Sequence, residues 1–278
     1  MFFIKKWKLE RQLAAVEKEL LIVEKEESKI RESALKVRSA GWKTILEAKI
    51  PPKAFDGLKA AFSKGFSAVF IHGQAIIELS YRKNKIAEKH SLNDLAVKNK
   101  GRRKELKRIY KGAQKSNLFN LTVTTVEGIG LGALGIGMPD IVLFIATLLK
   151  GIYETALSFG YDYNTKLEQF IILKMMATSL MSGEEWKKSD SEIDKLMQLT
   201  PRAVSDELFN KQIEETASAF ALDMLLLKFI QGLPVVGVLG GAANPIYYNK
   251  IMKYIQIKYR KRYLQKQYTE IISKLEKG

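Results

Sequence analysis

Residues 125–152 decide the fold class of this chain, and they read TVEGIGLGALGIGMPDIVLFIATLLKGI. Five of the ten residues from 128 to 137 are glycine. Glycines at this density occur in phosphate-binding loops, and they also let the backbones of two helices approach closely. Because the surrounding residues are apolar, a membrane span is a third interpretation of the same stretch.

The phosphate-loop interpretation rests on Gly130, Gly132 and Gly135, which satisfy the pattern G-x-G-x-x-G. That pattern binds a dinucleotide only where a strand precedes it and a helix begins at its last glycine. Here Pro139 starts the helix four residues late, and no alternation of strands and helices follows. We therefore reject dinucleotide binding.

The membrane-span interpretation fails on length. Glu127 and Asp140 enclose twelve uncharged residues, and nine more precede Lys150, whereas a membrane helix needs about 20 apolar residues. Residues 229–249 are uncharged for 21 positions, but Pro234, Pro245 and four glycines interrupt them. Such a segment would leave backbone groups unpaired in lipid, so we expect it to be bent and buried against protein.

Close packing remains, and it predicts that the two glycine-rich apolar segments form helical hairpins that meet at the centre of the molecule. We expect this apolar centre to enclose or contact acyl chains. The candidate lining residues are Gly130, Gly132, Gly135, Gly137, Ile141, Phe144, Leu148, Val235, Val238 and Gly241.

Helix signals recur along the rest of the chain, and no stretch alternates in the manner of a strand. The predicted start signals are Pro52, Ser91 with Asp94, Thr165 with Glu168, Ser189 with Glu192, and Asn244 with Pro245. Gly160 is a predicted helix end. The sequence therefore predicts an all-α protein with one large helical domain at 41–278 and a long charged helix at 1–40.

The N-terminal helix carries a heptad pattern. Its apolar positions are Leu9, Val16, Val23, Ile30 and Val37, with Leu13, Leu20 and Ala34 between them. Glu27 alone interrupts the second set. The pattern predicts a narrow apolar seam, which either docks on a protein partner or a second copy, or packs on its own domain.

The net charge of +16 predicts attraction to polyanions. Either nucleic acid or an anionic membrane satisfies that attraction, and a solvated basic surface is the third alternative. Two basic runs stand out, at 98–115 and 250–266. The candidate anionic-surface contacts are Arg102, Arg103, Lys104, Lys107, Arg108, Lys258, Arg260, Lys261 and Arg262.

Residues for chemistry are scarce. The chain has no cysteine, which removes thiolate chemistry and suits a reducing compartment such as the cytoplasm. His72 and His90 do not have the spacing of metal ligands. We therefore expect no catalytic residue, no metal site and no cofactor.

Two segments resemble signatures of the EcsC protein family. The first runs GLGALGIGMPDIVLFIATLLKGIYETALSFGYDYNTKLEQFIILKMMA, and the second runs LPVVGVLGGAANPIYYNKIMKYIQIKYRKRYL. The motif positions are Pro139, Asp140, Gly160, Asp162 and Asn244, while Phe159 stands where tyrosine is expected. The resemblance covers 51–264 and implies an α-helical, mostly bacterial protein, named for neighbourhood with an ABC exporter. It brings no established catalytic activity.

Three functions compete. The favoured one is a non-enzymatic lipid-binding or membrane-associated protein on the inner face of the cell membrane, with anionic phospholipid or a bound lipid as partner. The second is an interaction module that docks on a membrane complex such as an ABC exporter. The third, a nucleic-acid binder, has less support because the basic runs lack a recognisable reading module, although Tyr110, Tyr259 and Tyr263 are interleaved with them. We expect no specific nucleic acid.

Overall fold

The computed structural model describes residues 2–39, 47–120, 139–198, 204–231 and 243–277. Within these ranges the chain is helical and contains no strand, so the all-α prediction is confirmed. The helices are α1 (Phe2–Ser39), α2 (Pro52–Ala68), α3 (Gln74–Leu79), α4 (Lys83–Lys100), α5 (Arg103–Asn120), α6 (Pro139–Ser158), α7 (Lys166–Leu180), α8 (Gly183–Leu196), α9 (Asp206–Gln231) and α10 (Ala243–Glu276). A π-helical turn, Val69–Gly73, joins α2 to α3.

The apolar helix α6 lies at the centre of the fold and packs against α2, α3, α4, α5 and α10. Ile141, Phe144 and Leu148 are buried in this core. α2 approaches α6 closely at Gly65, where an added Cβ would lie 2.8 Å from Ile145 Cδ1. Within the described ranges, Ile141–Ser158 is the one window long and apolar enough to cross a membrane, and 89% of it is buried in the protein.

The long helix α9 packs against α2 and α7 and completes the core. Phe220 of α9 lies between Phe62 and Phe66 of α2, with ring centroids 5.2 and 5.4 Å apart. Burial of such aromatic side chains is a large favourable contribution to folding. α2 therefore packs against both α6 and α9, and Phe220 of α9 also approaches Phe144 of α6, with ring centroids 6.2 Å apart.

The heptad seam of α1 is used within the same chain. α1 packs along α10 and also contacts α8 and α5. Val16 and Val23 are buried, and Leu9, Leu13 and Leu20 are packed against the same core. The two predicted units, 1–40 and 41–278, therefore share one hydrophobic core.

Of the five predicted helix starts, two are wrong and three are confirmed, among them the start of α10, which begins at Ala243 beside Asn244. Pro52 is the first residue of α2, and the Thr165 hydroxyl accepts a hydrogen bond from the Glu168 amide at 3.2 Å. Ser91 and Ser189 instead lie inside α4 and α8. The hydroxyl of Ser91 donates to the carbonyl of Ala87, four residues earlier. A serine can make that bond inside a helix, so the serine-acid spacing alone does not identify a helix start.

The glycine-rich hairpins predicted at 128–137 and 237–241 lie outside the described residues. So do the candidate lining residues Gly130, Gly132, Gly135, Gly137, Val235, Val238 and Gly241. Of that set, the structure describes the burial of Ile141, Phe144 and Leu148.

Candidate functional site

The basic residues of α5 form an exposed cationic face. Lys104, Lys107, Arg108 and Lys111 are exposed, and their spacing of three, four and seven residues places them on one side of the helix. Within the described parts of the chain, none of the four lies in an ion pair. We call this set the α5 cationic face. It is open to an anionic partner.

The two other predicted cations of this run are already engaged. The Arg102 guanidinium lies 2.9 Å from Glu105 Oε1, one turn further along α5. Arg103 Nε lies 2.8 Å from Glu19 Oε1 on α1. Arg102, the residue just before α5, therefore pairs with the first turn of that helix, while Arg103 joins α5 to α1.

The predicted surface role of the α10 cations is corrected by the structure. Lys258, Arg260, Lys261 and Arg262 all form ion pairs with carboxylates of other helices. Lys258 is completely buried, and Arg260 is nearly so. A cation that is enclosed by protein and neutralised by its own chain is not available to a membrane surface.

Lys258 occupies the centre of a buried charge cluster. Its Nζ lies 2.6 Å from Glu27 Oε1, 2.6 Å from Asp190 Oδ1 and 2.7 Å from Asp194 Oδ1. The Tyr254 hydroxyl also donates to Asp190, at 2.6 Å. Three carboxylates this close together could ligate a metal ion, but here the ammonium group of Lys258 contacts all three and offsets part of their charge.

Lys261 completes this cluster, with its Nζ 2.8 Å from both Glu27 Oε2 and Asp194 Oδ2. Burial raises the pKa of Asp194, but Lys258 and Lys261 outweigh that effect and hold it below its usual value. For Lys261 the effects have the opposite sign: burial lowers the pKa, but the bonds to Asp194 and Glu27 raise it overall. Both groups are therefore charged at neutral pH.

A second ion-pair cluster joins α1, α5 and α10. Glu19 is buried and accepts from Arg103 through one oxygen and from Arg260 through the other, at 2.8 and 2.7 Å. Arg260 also lies 3.2 Å from Glu26 and stacks over the Tyr110 ring at 4.3 Å. This cluster therefore joins α1 to α5, the helix that carries the cationic face.

The third cluster joins α10 to α7. Arg262 donates to both oxygens of Glu168, at 2.9 and 2.8 Å, and the Tyr259 hydroxyl donates to the same carboxylate at 2.7 Å. The Tyr161 ring packs on the Arg262 guanidinium at 4.0 Å. Burial and the neighbouring Glu168 raise the pKa of Tyr259 well above its usual value. The tyrosine therefore stays protonated and donates to Glu168.

The family-like corner after α6 is a tight turn. Gly160 has φ of +80°, and the Asp162 carboxylate accepts from the Asn164 amide at 3.0 Å. His90 of α4 packs against this corner, because its Nδ1 lies 2.9 Å from the Ser158 carbonyl oxygen. Pro139 and Asp140 are the first two residues of α6, and Asn244 is the second residue of α10.

Replacing Gly160 with alanine is expected to lower the free energy of unfolding by about 2–3 kcal/mol, measured by denaturant titration. The positive φ alone costs an alanine about 1–2 kcal/mol. A Cβ here would also lie 2.2 Å from His90 Nε2. As a control, Gly57→Ala lies in α2 with no neighbour within 4 Å, and it should be neutral or stabilise by up to about 1 kcal/mol. Equal effects of the two substitutions would contradict this account of the corner.

Sequence reasoning missed the acidic half of these clusters. Glu19, Asp190 and Asp194 carry no local signal that distinguishes them from solvated acids, and neither does Glu168 beyond its place at a predicted helix start. Glu27 does carry such a signal, because it interrupts an apolar position of the heptad pattern, and a charged residue there indicates a buried partner. The partner itself, Lys258, lies 231 residues away along the chain.

The fold and its charges define an all-α protein whose two longest helices, α1 and α10, are joined by internal ion pairs. The chain belongs to the EcsC protein family, because the model of that family matches residues 14–264. The match begins inside α1, further toward the N-terminus than the predicted 51–264. No curated protein and no solved structure matches the chain.

Proposed function

We propose that this protein is a non-enzymatic, membrane-associated lipid-binding protein. It binds anionic phospholipid on the inner face of the cell membrane, and its apolar glycine-rich centre holds or contacts acyl chains. The observation that carries the proposal is the α5 cationic face. Four exposed cations lie on one side of this helix and outside any ion pair within the described residues, while Lys258, Arg260, Lys261 and Arg262 of α10 are paired with carboxylates of other helices.

The energetics of such a face suit an anionic bilayer. Each basic residue near an anionic leaflet contributes about 1 kcal/mol, and the attraction extends over roughly 8 Å at physiological salt. Because the four residues lie on one side of α5, all of them can approach a flat surface together. The summed attraction of the four residues is enough for reversible binding to the bilayer, and this binding weakens as salt is added.

The acyl-chain part of the proposal concerns the segments at 128–137 and 237–241. α6 follows the first of these directly, and its residues Ile141, Phe144 and Leu148 are buried in an apolar core. Glycine lets a backbone approach apolar groups closely. A lipid chain is one such group.

The two other functions have less support. A docking role for 1–40 would need an open seam, but Val16 and Val23 are buried against the same chain. A nucleic-acid binder would need exposed aromatic rings among its cations. Tyr259 and Tyr263 are instead buried, and their hydroxyls donate to Glu168 and Asp94 at 2.7 Å.

Changing Lys104, Lys107, Arg108 and Lys111 to glutamine is expected to weaken binding to anionic vesicles by at least tenfold at low salt, measured by vesicle flotation. The reason is the loss of about 1 kcal/mol of attraction for each cation, of which screening removes part. Thermal stability should change little, because exposed charges contribute little to folding. Neutral vesicles should bind neither form.

The matched control changes four exposed lysines of α8 and α9 to glutamine: Lys187, Lys188, Lys195 and Lys211. This variant loses the same charge and should float like the natural sequence. Equal loss in both variants would show that net charge alone attracts the protein. Excess duplex DNA should leave the protein on the vesicles. If the duplex strips it from them, and native mass spectrometry finds no lipid, the nucleic-acid function replaces the membrane function.

A further inference from the structure

Four exposed residues of α4 form a stripe that has a lysine at each end and two leucines between them. Lys89, Leu92, Leu95 and Lys98 follow one another at intervals of three residues, and all four are exposed. Leu92 is 70% exposed and Leu95 is 56% exposed. We call these four residues the α4 stripe.

The leucine pair distinguishes this stripe from the other exposed apolar side chains. Across the described ranges, the remaining large ones are Trp7, Leu21, Leu79 and Leu208. Each of these stands alone, and isolated apolar residues are common on protein surfaces. Leu92 and Leu95 instead lie about one helical turn apart and form a continuous apolar spot.

Helix geometry places the two lysines on opposite sides of that spot. Successive residues of an α-helix turn by about 100°, so steps of three turn by about 60° in one sense. Lys89 and Lys98 therefore flank the leucines. Lys98 Nζ lies 2.8 Å from Asp94 Oδ2, whereas Lys89 has no carboxylate partner within the described residues. Their long side chains can reach headgroups while the leucines between them enter lipid.

The other side of α4 is held by the body of the protein. Val97 is buried, His90 contacts the Ser158 carbonyl, and Asp94 accepts from the Tyr263 hydroxyl at 2.7 Å. The stripe is therefore presented on a helix that cannot turn to bury it. This is the arrangement expected of a surface that meets a partner without refolding.

The α4 stripe and the α5 cationic face belong to one helical unit. α4 ends at Lys100, α5 begins at Arg103, and the two helices pack against each other. Gly101, with φ of +57°, makes the turn between them, and its amide donates to the Val97 carbonyl at 2.7 Å. The unit thus combines an apolar spot with unpaired positive charge, and this combination is complementary to an anionic lipid surface.

We propose that the α4–α5 unit is the membrane-contacting element and that Leu92 and Leu95 insert between the headgroups of an anionic phospholipid bilayer. This inference rests on the proposed function and adds which residues enter the lipid. The α5 cationic face supplies the salt-sensitive attraction. The two leucines supply an apolar contribution that salt does not screen.

The test uses the absence of cysteine from the natural sequence. Single cysteines at Leu92→Cys, Leu95→Cys and Leu21→Cys each carry one environment-sensitive fluorophore on the full chain. Leu21, 66% exposed on α1, is the matched control. With vesicles containing phosphatidylglycerol, the labels at 92 and 95 should shift to the blue and resist a water-soluble quencher. The label at 21 should do neither.

An unlabelled variant gives a second readout. Leu92→Ser with Leu95→Ser should lose roughly tenfold or more of vesicle partitioning, because burying a leucine is worth more than a factor of ten in a partition coefficient. The loss should persist at high salt. Leu21→Ser with Leu208→Ser changes two exposed leucines elsewhere and should partition like the natural sequence.

The outcomes separate this inference from the function on which it rests. If the protein floats but labels at 92 and 95 stay as accessible to quencher as the label at 21, the insertion is overturned and membrane binding stands. If the natural sequence does not float with anionic vesicles, the proposed function itself fails. If the labels shift to the blue without vesicles as protein concentration rises, a second copy covers the stripe, which also overturns the insertion.

Discussion

Replacing Lys258 with methionine is expected to lower the free energy of unfolding by about 3–5 kcal/mol, because removal of one partner from a buried ion pair leaves the other charge uncompensated. Lys258 is 0% exposed and contacts three carboxylates, those of Glu27, Asp190 and Asp194. Methionine fills much of the same space, so the loss reports the charge rather than a cavity. Urea denaturation followed by circular dichroism measures it.

Two further variants test the cause of that loss. Lys253→Met removes an exposed lysine from the same helix and should change stability by less than about 0.5 kcal/mol. Adding Asp190→Asn and Glu27→Gln to Lys258→Met should restore part of the stability, because the stranded carboxylates are then neutral. If Lys258→Met lowered the free energy of unfolding as little as Lys253→Met, the buried charge cluster would not stabilise the fold.

The same variant should change the pH dependence of stability. In the natural protein the pKa of Asp194 is held below its usual value by Lys258 and Lys261 against the effect of burial. Asp194 therefore stabilises the fold above its unfolded pKa of about 4, and this contribution is lost as the pH falls through the folded pKa. In Lys258→Met one of the two cations beside Asp194 is lost, so burial has the larger effect and the pKa of Asp194 is higher than in the natural protein. The difference in stability between the two proteins should then narrow as the pH is lowered from 7.

The sequence predicted helices wherever a pattern repeats between near neighbours. The apolar period of α1, the start of α2 at Pro52 and the cap of α7 at Thr165 all depend on residues within one or two turns. These local signals carry most of the information that selects an all-α fold. The false starts at Ser91 and Ser189 are local too, and they fail because a serine inside a helix satisfies the same spacing.

The candidate site was harder to predict because charge alone does not locate its partners. Residues 258–262 read as a solvated basic run in the sequence, yet Lys258 pairs with α1 and α8, Arg260 pairs with α1, and Arg262 pairs with α7. Residues two apart are turned by roughly 160° on a helix, so a short basic run on a central helix meets partners on several sides. Glu27, Glu19 and Glu168 supply those partners from distant parts of the chain. Only folding brings them together.

The ion pairs also explain why α1 is part of the domain rather than an appendage. Glu19, Glu26 and Glu27 of α1 neutralise three cations of α10. Without α1, the face of α10 that it covers would be open to solvent, and those cations would lose their partners on α1. The apolar seam and the acidic residues of α1 therefore act together, since both are directed at the same helix.

Replacing Val23 with lysine is expected to lower the free energy of unfolding by about 3–5 kcal/mol, because it forces a charge into the apolar contact between α1 and the core. Val23 is 0% exposed. Glu19 and Glu27 lie one turn away on either side, but both are already bound to cations of α10 and α5. A new ammonium group could reach them only by displacing those partners.

Leu21→Lys is the matched control, since it also replaces an apolar residue with lysine, two residues away on the same helix. Leu21 is 66% exposed, so its substitution should alter stability by less than about 0.5 kcal/mol. Thermal unfolding of the two variants, with sedimentation of each, separates the alternatives. A large loss for Val23→Lys in a protein of unchanged mass places the seam in the same chain, because a contact between copies would also change the oligomeric state. An unchanged melting temperature for Val23→Lys would instead mean that α1 is a solvated helix whose seam is not used.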